Sequence, residues 1–259
     1  MQDLLHVVVG AGFPHYFSNC LKSLSGLTPH HVLAFYNYVD ETDRVTASEV
    51  ARKCGDPRIT FEFRENVSDL RTGSLYTAYN DALKHAEGKY RFISFIQADM
   101  QLMWWDERII SACDRILNEA NQKGISIVSF FSQIPVKGKR RDYYSIWDSV
   151  GAEETPMSPG IVDVGIFPLE KFNSSNFKFE GSERELSQRA GSQGAVVALH
   201  PYPFIAPIPF PSTLRDPRKK TGRVVGPGQN QPILRIASDR ESFPDFGRKS
   251  IHPLFKEDT

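Results

Sequence analysis

Asp99 is the first residue in this chain placed to do chemistry. It follows an apolar, strand-like run at residues 90–96, within Gln97-Ala98-Asp99. A carboxylate at a strand end can hold Mg²⁺ or Mn²⁺ against a phosphate and neutralise an otherwise poor diphosphate leaving group. The same residue type also caps turns. Gln97 brings no charge, so it can reach a metal-bound water or a ribose hydroxyl without strengthening the field at a cation. Arg71 and Ser74 stand just ahead of the most regular helical pattern in the chain. A guanidinium and a helix N-terminus both favour phosphate there, whereas a solvated loop arginine is the plainer alternative. Gly10-Ala11-Gly12 ends the first apolar run and opens like a dinucleotide fingerprint. His15, however, occupies the place of the third glycine and Pro14 displaces the helix start, so a strand-ending turn beside a ligand is the better expectation. Trp104 and Trp105 offer aromatic faces for a sugar, or bulk for a core.

These residues need a frame, and the hydrophobic pattern supplies one. Residues 4–9 form a continuous apolar run stopped by glycine, as in a strand buried on both faces. Phe17, Cys20, Leu21 and Leu24 follow at helical spacing, with Gly26 where a helix end favours glycine. The alternation continues with strands at 32–36, 59–63, 90–96 and 125–131. Between them lie helices carrying Val50, Ala51 and Cys54, then Leu75, Ala78, Tyr79, Ala82, Leu83 and Ala86, then Ile109, Ala112, Cys113, Ile116, Leu117 and Ala120. Such alternation predicts an α/β fold with a mostly parallel sheet covered on both faces. Beyond Pro135 come the basic run 137–141 and a loop rich in Gly, Pro and Ser up to Gly160. A strand at 161–167, a short helix at 183–190 and a strand at 195–199 follow. The proline-dense stretch from Pro201 to Pro217 excludes central strands and long helices. The pattern predicts one domain over residues 1–205 and an irregular extension over 206–259.

Gly73-Ser74-Leu75-Tyr76-Thr77-Ala78-Tyr79-Asn80-Asp81-Ala82-Leu83, then Ala86-Glu87-Gly88-Lys89-Tyr90, then Gln97-Ala98-Asp99 resemble, in order and spacing, the family-2 glycosyltransferases. In that family a glycine precedes an Ala-Arg-Asn-like helix, an Ala-x-Gly-x-Tyr turn leads into a strand, and the strand ends in Asp-x-Asp. The resemblance extends loosely over residues 4–205 and includes Asn66. Tyr79 stands in place of the usual arginine and Gln97 in place of the first aspartate.

The resemblance implies a GT-A fold, Rossmann-like with helices on both faces, and transfer of a sugar from a nucleotide diphosphate to a hydroxyl, with inversion. It places the nucleotide against Val9, Gly10, Ala11 and the segment from Asn37 to Asp43, with Asn37 or Asp40 accepting from uracil or ribose. Arg71 and Ser74 would meet the diphosphate, and Gln97 and Asp99 the donor. Ser182-Glu183-Arg184-Glu185-Leu186 occupies the place of the family's catalytic acids, with Glu183 at the base and Glu185 at the second acid. Acids in a first helical turn also complement the helix dipole whatever the function. His200 falls where a family histidine can complete the Mn²⁺ or Mg²⁺ site, and a neutral imidazole suits Mn²⁺.

Composition narrows the partners. The 259 residues carry 31 Lys and Arg against 31 Asp and Glu, so no net field draws the chain to nucleic acid. Cys20, Cys54 and Cys113 are odd in number and scattered, which points to a reducing cytoplasmic compartment. The expected partners are a nucleotide-sugar donor, UDP by default, and a saccharide or glycolipid acceptor. The basic runs 137–141 and 215–223 are most simply solvated, with peripheral contact to the inner face of a membrane as the alternative. A GT-A-like module that binds a sugar nucleotide or a protein without turnover is the rival expectation. A nicotinamide oxidoreductase ranks third.

Overall fold

The computed structural model describes residues 1–66, 73–102, 105–132, 155, 157–175, 177–200, 204–207, 234–236 and 255–257. The first half of the chain alternates as its hydrophobic pattern requires. β1 (Gln2–Ala11), α1 (Pro14–Leu27), β2 (His31–Tyr38), α2 (Glu41–Cys54), β3 (Ile59–Glu65), α3 (Gly73–Ala86) and β4 (Tyr90–Gln97) follow one another. Next come β5 (Met100–Leu102), α4 (Arg108–Gln122), β6 (Val128–Phe131), β7 (Met157–Pro159) and β8 (Gly165–Pro168). The last elements are α5 (Leu169–Ser175), α6 (Glu183–Ser192), β9 (Val196–Leu199), β10 (Ile205–Pro207), β11 (Leu234–Ile236) and β12 (Phe255–Glu257).

The main sheet runs β3-β2-β1-β4-β8-β6-β9-β7. β1 pairs in parallel with β2 and β4, β2 with β3, and β6 with β9. β8 is antiparallel to both β4 and β6, and β7 is antiparallel to β9. The side chains of β1 alternate between two cores. Leu4 and Val8 join α1, α2 and α4 on one face, whereas Leu5, Val7 and Val9 join α3, α5 and α6 on the other. A strand buried on both faces must be apolar throughout, which is why residues 4–9 show no polar-out alternation. His6 is the exception, and its Nε2 meets Thr28 Oγ1 at 3.1 Å.

Three boundaries differ from the sequence pattern. Gly26 lies inside the last turn of α1, which ends only at Thr28, whose N–H donates to the Leu24 carbonyl. β6 starts at Val128 because Gly124, at φ 69°, and the Ile125 N–H, bonded to the Ala120 carbonyl, close α4 first. β8 starts at Gly165, not residue 161. A Cβ at Gly165 would lie 2.3 Å from the Phe130 carbonyl oxygen, so the close approach of β8 to β6 needs glycine there. β10 pairs with β5, joining Ala206 to Gln101 and Pro207 to Met100, so the ordered ladder crosses residue 205. β11 and β12 pair with each other. The remainder of 206–259 and both basic runs lie outside the described residues. All three cysteines are free thiols. Among the described residues no helix is long and apolar enough to cross a membrane.

Candidate active site

β1, β2, β3 and β4 run in parallel and leave the sheet at one edge, through Ala11, Tyr38, Glu65 and Gln97. The Ala98 N–H extends the β1–β4 ladder by donating to the Val9 carbonyl at 2.9 Å, which sets Asp99 in the turn beside Gly10. A Cβ on Gly10 would meet Ala98 Cβ and Phe17 at 3.1 Å and Tyr36 at 3.2 Å, so glycine allows this convergence. β8 runs the other way and enters the sheet where those strands leave it. Its register pairs Phe92 with Pro168 and Phe95 with Gly165. Beyond that ladder, in the bend just ahead of β8, Asp163 Oδ2 accepts from Gln97 Nε2 at 3.4 Å.

The sequence reading did not single out Asp163. The available signal was a carboxylate inside the apolar run Ile161-Val162-Asp163-Val164. Asp163 is 7% exposed. Burial, then the charge of Glu183 and to a smaller degree that of Asp99, push its carboxyl up to about 6, against the pull of its own backbone and the Tyr76 hydroxyl. Burial also raises the Asp99 carboxyl, and Asp99 Oδ1 is shielded from solvent without a hydrogen-bond partner. The Tyr79 hydroxyl is fully buried, also without a partner, and is held protonated by burial and by the charges of Asp163, Asp99 and Glu183. Its ring stacks on Phe95 at 4.0 Å, so Tyr79 fills the core beneath the site.

Glu183 is exposed at the first turn of α6 and is positioned by contacts behind it. Asn80 on α3 clasps the approaching chain at two points, accepting from Phe179 N–H at 2.9 Å and donating to its carbonyl at 2.8 Å. Arg189 donates to the Lys178 carbonyl and pairs with Glu180 at 3.2 Å. Gly191 lies against Gly160, where a Cβ would come within 3.3 Å of the Gly160 nitrogen, so α6 packs directly on the segment that leads to Asp163. Glu185 has a different role from the second acid expected of it. It completes a capping box, accepting from Ser182 N–H at 2.8 Å and from Ser182 Oγ at 2.7 Å, which lowers its carboxyl pKa and commits it to the helix end.

The other expected residues divide. Val9, Gly10 and Ala11 form the end of β1, and Asn37, buried, pairs in register with Ala11. Asp40 is the N-cap of α2, accepting from Asp43 N–H at 2.8 Å. Asp43 in turn accepts from the Tyr36 hydroxyl at 2.6 Å and from Val39 N–H at 3.0 Å, which fixes the β2–α2 turn. Ser74 sits half-buried in the first turn of α3. Arg71 and Trp104 lie outside the described residues, whereas Trp105 packs edge-on against His6, His30 and Phe204 in a core role. His200 is fully buried and its Nε2 meets the Ile109 carbonyl at 2.9 Å, so this nitrogen is engaged by backbone where a metal had been expected.

Among the described residues no group of three or more His, Cys, Asp or Glu could hold a metal ion by itself. Mg²⁺ and Mn²⁺ in phosphate sites need only one or two carboxylates, with phosphates and waters supplying the rest. The unpartnered Oδ1 of Asp99 fits that demand.

The mostly parallel sheet, the reversed strand β8 between β4 and β6 and the helices on both faces make this a GT-A fold. It is similar to S. aureus TarS, with TM-score 0.51 and 13% identity over 82% of this chain and 37% of that one. It is also similar to GalNAc-T7, solved with UDP, GalNAc and Mn²⁺, with TM-score 0.53 and 13% identity over 91% of this chain and 46% of that one. The chain thus spans less than half the length of either. No protein-family model matches the chain, and no curated protein matches it by sequence.

Proposed function

We propose that the chain is a glycosyltransferase that moves a sugar from a nucleotide diphosphate, UDP by preference, to a hydroxyl of a saccharide or glycolipid acceptor, with inversion. The observation that carries this reading is that buried Asp163 meets Gln97 at the end of β4, two residues before Asp99, and feels the charges of both Glu183 and Asp99. The ends of β1 and β2 take the nucleoside, and the α3 N-terminus with Ser74 faces the diphosphate. Asp99 holds Mn²⁺ or Mg²⁺, which when bound would neutralise the leaving diphosphate. Glu183, exposed and anchored through Asn80 and Arg189, accepts the proton of the acceptor hydroxyl as that oxygen attacks the anomeric carbon. Residues 206–259 border the acceptor side. A cytoplasmic enzyme, peripheral to the inner membrane face, suits a glycolipid acceptor.

A thermal-shift screen of nucleotide sugars with and without Mn²⁺, followed by a transfer assay on the donor that stabilises the chain most, tests the reading. A metal-dependent rise in Tm and turnover are expected. Binding without turnover on any donor favours a non-catalytic GT-A-like module, a second reading motivated by the uncharged Gln97. The absence of any stabilising nucleotide would sink the transferase reading and leave only a module that binds a protein.

A further inference from the structure

We infer that Asp163 is the second carboxylate at the cation of the donor diphosphate, supplying from the bend ahead of β8 the charge that residue 97 lacks on β4. This rests on the functional reading above. The β4–β8 ladder ends at Phe95 and Gly165, and Asp163 lies in the bend just ahead of β8, beside the end of β4. The Gln97 amide donates to Asp163 Oδ2, so the uncharged residue orients the charged one. Asp163 is 93% removed from solvent, given its 7% exposure, and the strongest outside charges acting on it, those of Glu183 and Asp99, are both negative. Buried carboxylates so gathered either take up a proton or are compensated by a positive charge.

Two buried atoms at this end of the sheet lack the partners they need. Asp99 Oδ1 is shielded and makes no hydrogen bond, and the fully buried Tyr79 hydroxyl beside the same carboxylates makes none either. Buried polar atoms are ordinarily satisfied, so unpaired ones at the mouth of a sheet indicate a missing partner. A divalent cation meets both carboxylates at once, and a water in its shell can accept from Tyr79.

The probe is Mn²⁺ in the presence of the nucleoside diphosphate that most raises the Tm of the chain, with free Mn²⁺ followed by electron paramagnetic resonance. Loss of outer-shell partners alone commonly weakens metal binding 10–100-fold, so Asp163→Asn should weaken Mn²⁺ by at least about tenfold, as Asp99→Asn does. Adding Gln97→Asp to Asp163→Asn should recover most of that loss, because it returns the charge to the neighbouring strand. Thermal unfolding of each variant confirms that it is folded. Wild-type Mn²⁺ affinity in Asp163→Asn, with Asp99→Asn impaired, would overturn the inference and leave the functional reading intact. Failure of Gln97→Asp to recover any affinity would also overturn it, reducing Asp163 to a positioning residue. If the unaltered chain binds no Mn²⁺ with any nucleoside diphosphate, the functional reading falls as well.

Discussion

The Gln97 amide and the Asp163 carboxylate lie 66 positions apart in the chain and meet at 3.4 Å, one at the end of β4 and the other in the bend ahead of β8. In the folded chain Asp163 titrates near 6, against an ordinary 3.8. A carboxyl whose pKa rises on folding destabilises the native state at pH above both values. That cost shrinks as pH falls through about 6 and vanishes below about 4, where both states are protonated. Asp163→Asn should therefore stabilise the chain at pH 7 by up to about 3 kcal/mol and remove the corresponding gain in stability between pH 6 and pH 4. Urea unfolding across that range measures both effects, and a less stable variant at pH 7 would contradict them.

Asp99→Asn should keep the fold but lower metal-dependent transfer by about 10²–10³, the scale on which a single electrostatic contact to developing charge acts. Transfer rates over a Mn²⁺ titration are the measurement. Full metal-dependent activity in this variant would remove Asp99 from the mechanism.

The two acids of α6 should separate cleanly. Glu183→Gln is expected to leave thermal stability unchanged while lowering kcat by about 10²–10⁴, the usual contribution of a general base. Glu185→Ala removes half of the capping box with Ser182. It should lower the Tm of the chain while sparing turnover per folded molecule. Parallel calorimetry and kinetics on the pair would reveal any exchange of these roles.

Gly10→Ala places a methyl 3.1 Å from Ala98 Cβ and from Phe17 in a packed core. Overpacking of this kind costs about 1–3 kcal/mol. Because Ala98 adjoins Asp99, the variant should also bind nucleotide more weakly than its loss of stability explains, as isothermal titration of the folded fraction would report.

His200→Leu leaves the Ile109 carbonyl without its imidazole partner. A loss of about 1–3 kcal/mol is expected for a buried group left unsatisfied, with Mn²⁺ affinity unchanged. Weaker Mn²⁺ binding by a folded variant would return His200 to the metal.

The periodicities read from sequence survive in the structure because each arises from burial alone. Leu75, Ala78, Tyr79, Ala82, Leu83 and Ala86 repeat at helical spacing and α3 is the result, and the unbroken apolar run of β1 reports a strand covered on both sides. The reversed direction of β8 was not legible, since Ile166 and Phe167 would be as apolar in a parallel strand. Asp163 was missed for the same reason: its partner Gln97 is a neighbour through the fold and not through chain spacing. Asp40 and Glu185 show the converse, since each also caps a helix. Acids at helix starts satisfy backbone donors whether or not a ligand is near, so local sequence cannot separate a cap from a binding residue. His200 repeats the lesson at a strand end, where only the tertiary packing supplies the Ile109 carbonyl.

The strand reversed between β4 and β6 gives one edge of the sheet two chain addresses. Residues that leave along β4 and residues that arrive along β8 occupy the same neighbourhood, so a charge can move between them while hardly moving in space. A pattern written along the backbone loses such a charge when one strand drops it. A pattern written across the ladder retains it, and homologous sites in sheets of this topology are best compared rung by rung.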